Sequence, residues 1–193
     1  MNQVIQPADS PAVAKPVAPS SLVLKAAVAH TATYFIAGVL AVWLADYREL
    51  FSHTPYATFM RALDDPFIKI GPMLQPVRGA LFGLALLPFC GVISAKKQGW
   101  ALIWLLLLII GILCPFGPAP GSIEGLIYTR VGLLDQLRGL PEIILQSFLL
   151  SWTLFHWVWG PGRKWIGRTL IALTALIYVF GILGLFVAPA AKP

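Results

Sequence analysis

Five long stretches of this chain are mostly apolar with few charges, the pattern of membrane-spanning helices. They cover residues 22–44, 79–94, 100–116, 141–159 and 165–188. About 20 apolar residues in a helix cross the roughly 30 Å of a bilayer's hydrocarbon, so each stretch predicts a transmembrane span. The second and third are at the lower limit of length, and Pro88 predicts a kink in the second. Trp100, Trp104, Trp152, Trp157, Trp159 and Trp165 cluster toward span ends, as an interfacial aromatic belt requires. The expected fold is all-α: a polytopic integral membrane protein, a bundle of about five transmembrane helices with short interfacial helices in its outer connections.

The polar intervals complete that plan. Residues 1–21 are rich in Pro, Ala and Ser without periodicity, which predicts a disordered or polyproline-like tail. Trp43, two residues before Ala45, makes a poor signal-peptide cleavage site, so the first run reads as a retained span. Residues 95–99 and 160–164 are tight turns, and 189–193 form a short C-terminal tail. The connections 45–78 and 117–140 are longer. In the first, Thr54-Pro55 opens a short helical pattern through Leu63, and Asp65-Pro66 repeats the start signal. Pro72 and Pro76 predict that no long helix precedes the second span. In the second, Gly117 to Gly121 is a turn and Ser122 an N-cap. Ile123, Ile127, Leu134 and Leu137 give the following helix an apolar side, so it lies at the interface or re-enters. Gly139 and Pro141 end it and start the fourth span.

Composition agrees. Of 193 residues, 58% are hydrophobic and 11% charged, and mean hydropathy is +0.80; soluble domains carry about 25% charged residues. The net charge of +6 comes from short basic clusters, which fit topology and anionic headgroups and not nucleic acid. One side holds Lys15, Lys25, Lys96, Lys97, Arg163, Lys164 and Arg168 against the single acid Asp9. Short-loop basic density places that side, with the N-terminus, in the cytoplasm and the C-terminus outside, in a bacterial-type inner membrane. The opposite side includes Arg78, read as a span-end residue. Cys90 and Cys114 fall near opposite faces, too far apart for a disulfide.

The fourth span carries the candidate chemistry. Glu142, Gln146, Thr153 and His156 fall within an arc of about 80° on one helix. An ionisable stripe in a membrane helix suggests a proton or cation path or a polar ligand cleft; interhelical hydrogen bonding is the simpler and favoured account. Leu149 interrupts it. On the first span, Ala26, His30, Thr33, Ala37 and Ala41 form a narrow face of small residues with one imidazole, suited to close helix approach. His30 and His156 share a leaflet and are the candidates for a b-type haem or a bordering quinone, with a depth mismatch of about 7 Å. No metal motif is present in the sequence. Gly79 with Gly83, and Gly181 with Gly184, are packing positions, and Arg168 is a snorkelling anchor.

Outside the spans, Asp64, Asp65 and Glu124 are candidates for cation binding or acid–base work, though Asp65 before Pro66 and Glu124 in a first helical turn serve capping and the helix dipole. No G-x-S-x-G, H-E-x-x-H or phosphate loop occurs, so no catalytic residue is assigned. The sequence therefore supports a non-catalytic integral membrane protein, an accessory or scaffold subunit whose partners are the bilayer and other subunits or a second copy. Its alternatives are a small carrier or channel along Glu142, Gln146, Thr153, His156 and His30, and a redox subunit holding haem or quinone near His30 and His156.

Overall fold

The first apolar run folds as one helix, α1 (Pro19–Leu44), about 39 Å long at 1.5 Å per residue. The structure is a computed structural model and describes residues 17–44, 47–53, 55–58, 60–61 and 65–186. Helix α1 begins ahead of the apolar run because Pro19 suits a first turn, where a backbone N–H has no partner. A short helix, α2 (Tyr47–Ser52), and one 3-10 turn, Tyr56–Thr58, follow. The expected helical pattern through Leu63 falls partly on residues 54, 59 and 62–64, which lie outside the described residues.

The second apolar helix is longer than its sequence pattern. Helix α3 (Pro66–Leu86) runs through Pro72 and Pro76, which corrects the expectation that these prolines keep a long helix from preceding the span. Carbonyls around the prolines gain side-chain donors: Gln75 Nε2 donates to Gly71 O at 3.2 Å and the Tyr178 hydroxyl to Met73 O at 2.7 Å. These bonds hold the carbonyls on either side of Pro72, one of them from α8, while the carbonyls that the prolines themselves free are those of Ile68 and Pro72. Asp65 starts α3 by accepting from the Phe67 N–H at 2.8 Å. Pro88 does break the α-helix, into a 3-10 turn at Leu87–Phe89 and then α4 (Cys90–Ser94).

Helix α5 (Gly99–Leu108) continues as a π-helical segment, Ile109–Leu113. After the turn at Gly121 (φ +87°), Ser122 caps α6 (Ile123–Tyr128) by accepting from Gly125 N at 2.9 Å. Helix α7 (Leu133–Val158) then passes unbroken through Pro141. The stretch after Ser122 is therefore two helices, and its second part belongs to α7, not to a separate interfacial helix. Gln136, buried, makes the break: its Nε2 donates to Gly125 O and Val131 O at 3.2 and 2.9 Å, and its Oε1 accepts from Gly121 N at 3.2 Å. A turn at Gly162 (φ +70°) leads into α8 (Lys164–Phe186).

The described residues contain helices and no strands. Three segments, Pro19–Leu44, Ile70–Ser94 and Lys164–Gly184, are long and apolar enough to cross a membrane. Helix α7 matches them in length but carries Glu142, Gln146 and His156. The α5–π segment, Gly99–Leu113, spans only about 22 Å.

Helix α1 is the hub, packed against α3, α7 and α8, while α5 packs on α7. Small residues make this possible: Ala26, Ala29, Ala32, Ala37 and Ala41 are all buried on α1. Gly79 and Gly83 of α3 meet α1 at Ala26, Ala27 and His30 and at Val23, respectively, so the two helices run antiparallel. His30 opposite Gln146 and Gly38 opposite Glu142 make α7 antiparallel to α1 as well.

Candidate functional site

His30 is the polar centre of the bundle, fully buried where α1, α3 and α7 meet. Its Nε2 lies 3.1 Å from Gln75 Oε1 and its Nδ1 lies 3.5 Å from Gln146 Nε2. A neutral imidazole satisfies both contacts, donating to the Gln75 oxygen and accepting from the Gln146 amide. Phe82 closes the pocket edge-on, 5.0 Å between ring centroids. Three helices are thus joined through one ring, and each polar group has a partner.

The stripe on α7 divides into unlike parts. Gln146 belongs to the His30 clamp. Glu142 lies farther out, beside Gly38 of α1, and the Tyr47 hydroxyl donates to its Oε2. Burial first, then this hydrogen bond, pushes the Tyr47 phenol well above the usual tyrosine range. Clefts open on both sides of Glu142: one of about 450 Å³ bordered by Tyr34, Tyr47 and Pro72, and one of about 330 Å³ bordered by Ala41, Arg138 and Leu145. Thr153 donates to Leu149 O at 2.6 Å, and His156 Nδ1 lies 2.7 Å from Trp152 O, both within α7. Those two residues join no other helix through these bonds.

His30 and His156 are not brought together. The residue of α7 beside His30 is Gln146, and His156 is ten positions farther along, about 15 Å of rise. One metal accepts imidazole nitrogens at about 2.0–2.1 Å, so this offset does not fit shared ligation. Both His30 nitrogens also face amides already. Among the described residues no group of three or more His, Cys, Asp and Glu is placed to hold a metal ion.

Arg78 was not among the expected site residues. Because α3 starts at Pro66, Arg78 lies not at the end of the span but eight positions into Ile70–Ser94, about 12 Å along it. Its guanidinium rests 5.5 Å from the Phe82 ring centroid and borders a cavity of about 120 Å³ with Gln146 and Ser147 of α7 and Gly111 of the π segment. The ion pairs among the described residues are Arg61–Asp65 at 3.0 Å and Arg138–Asp135 at 3.6 Å, and neither involves Arg78. The signal for this residue lies in Gln75 and Arg78, two polar residues just ahead of the G-x-x-x-G, had Pro72 and Pro76 not suggested a helix break.

The outer acids are apart from this centre. Asp65 is the N-cap of α3 and pairs with Arg61; the Phe67 N–H first, and then Arg61, hold its carboxyl below the ordinary value. Glu124 lies in the first turn of α6. Asp64 lies outside the described residues. No protein-family model, no curated protein and no solved structure matches this chain.

Proposed function

We propose that this protein is a non-catalytic integral membrane protein, an accessory or scaffold subunit of a larger membrane complex. In this reading α1, Ile70–Ser94, the α5–π segment, α7 and α8 are five crossings, with the N-terminus cytoplasmic and the C-terminus outside. Helices α2 and α6 lie at the outer interface. The supporting observation is Arg78, an exposed cation well inside an apolar helix, with no carboxylate beside it among the described residues. Intramembrane charges are costly and are ordinarily paired, so one left open implies a partner. The other polar side chains fit a structural role, since His30, Gln75 and Gln146 hold three helices together. The test is native mass spectrometry of protein extracted in mild detergent. The expected species is heavier than the 21.0 kDa chain, with defined companion polypeptides; a stable 21.0 kDa monomer overturns the reading.

A second reading, a small carrier, draws on Glu142 between its two clefts. It requires proteoliposome flux that Glu142→Gln abolishes. Flux unchanged by that substitution removes it.

A further inference from the structure

Helices α3 and α5 pack mainly on other helices, α3 on α1 and α8, α5 on α7, rather than along one another. The groove between them has α7 as its floor, and Arg78 stands on its α3 wall. The opposite wall is the π-helical segment, where Gly111 adds no side chain and a Cβ built there meets nothing within 4 Å. Interruptions of this kind in a helix recur at functional sites. We propose that this groove receives a transmembrane helix of another polypeptide, whose acidic side chain pairs with Arg78. The proposal rests on the accessory-subunit reading and names the chemistry of the partner.

Charge complementarity identifies the occupant. Arg78 presents several donors, and Gln146 at the groove floor, whose Nε2 faces His30 through one hydrogen, has a second N–H to offer a carboxylate oxygen. The cavity of about 120 Å³ is about four water volumes, room for one acidic side chain and little more. Around it Leu107, Ile112, Ile143 and Leu150 supply an apolar wall for the body of a helix. Phospholipid phosphates stay at the membrane surface, whereas the Arg78 guanidinium does not reach back toward that surface but rests 5.5 Å from the Phe82 ring centroid, one turn farther into the span. A second copy of this chain does not meet the need. Glu142 is the one acid inside the five apolar stretches, and its side chain is turned toward α1 and Tyr47, between clefts bordered by α1 residues, and not outward for a neighbouring copy.

The experiment uses the full chain reconstituted in phosphatidylcholine bilayers with a labelled Leu-Ala transmembrane peptide of about 20 residues carrying Asp, Asn or Leu at its centre. Energy transfer between protein and peptide reads association. The Asp peptide is expected to bind about tenfold more tightly than the Leu peptide. Arg78→Leu removes that preference, Arg78→Lys keeps part of it, and Arg78→Asp transfers it to a peptide with central Lys. Gly111→Phe fills the groove without altering charge and weakens Asp-peptide binding equally, which decides the matter if Arg78→Leu fails to fold. Equal binding of Asp and Leu peptides overturns the proposal, as does a preference that survives both Arg78→Leu and Gly111→Phe. Saturable, Arg78-dependent binding of oleate without a peptide preference also overturns it, in favour of a fatty-acid anion. If the peptides show no preference while the protein still purifies in a larger complex, the groove assignment fails and the subunit reading stands. A monomeric protein removes both.

Discussion

A Cβ built on Gly79 of α3 would sit 2.7 Å from the Cβ of His30 on α1, and equally close to Ala26 O and Ala27 Cα. Two of those three atoms are backbone, so neither helix can yield by turning a side chain. Gly79→Ala is therefore expected to destabilise by about 1–3 kcal/mol despite alanine's better helix propensity. Gly184→Ala, where nothing lies within 4 Å, is the control and is expected to be neutral or stabilising by up to about 1 kcal/mol. Reversible unfolding in detergent measures both.

The His30 clamp predicts coupling across helices. A double-mutant cycle between His30 and Gln75 is expected to give about 1 kcal/mol, within the range of membrane interhelical hydrogen bonds. A cycle between His30 and Thr153 is expected to give none, because Thr153 bonds its own helix.

Tyr47 ties α2 to α7 through Glu142. Its phenol titrates above the ordinary tyrosine value, so its contribution is complete below about pH 10 and is lost as pH rises through the raised value. Amide protection over residues 47–53 should hold through pH 10 and fall above it. Tyr47→Phe should lower it at neutral pH. Protection that is the same in the variant would show that the hydrogen bond does not hold this segment.

Asp65 works in the opposite pH direction. Its carboxyl is held low, so its support of the α3 start is present above the ordinary carboxylate range and is lost only as pH falls through the depressed value. Exchange at the Phe67 amide should accelerate there, and in Asp65→Ala at every pH.

Gln136→Leu would leave Gly121 N and Val131 O without the bonds its amide makes. A buried group left unpaired, as Val131 O would be, costs about 1–3 kcal/mol. Limited proteolysis within 117–132 is the readout, and unchanged resistance would mean that other contacts order the loop.

Gln136 also shows why part of this protein was not legible in its sequence. Read along the chain, 122–139 has a helical apolar pattern, and only a long-range side chain reveals that it is split. The same holds for α3. Local chemistry says that Pro72 and Pro76 end helices, and it cannot foresee the packing of this stretch on α1 and α8 or the bond from the Tyr178 hydroxyl to Met73 O. That one difference moves Arg78 from the end of a span to its interior.

What the sequence by itself determined was the class: all-helical, with apolar segments long enough to cross a membrane and small residues where helices approach. Those properties follow from side-chain hydrophobicity and volume at each position, which need no knowledge of neighbours. Only the tertiary structure decided which polar groups meet. It placed His30 with Gln75 and Gln146, set it about ten residues of α7 away from His156, gave Glu142 to Tyr47, and left Arg78 open in a groove. A hydrogen bond or ion pair depends on a few ångströms between atoms on different helices. Helical spacing along one chain places residues on a face; the register between helices decides what that face touches.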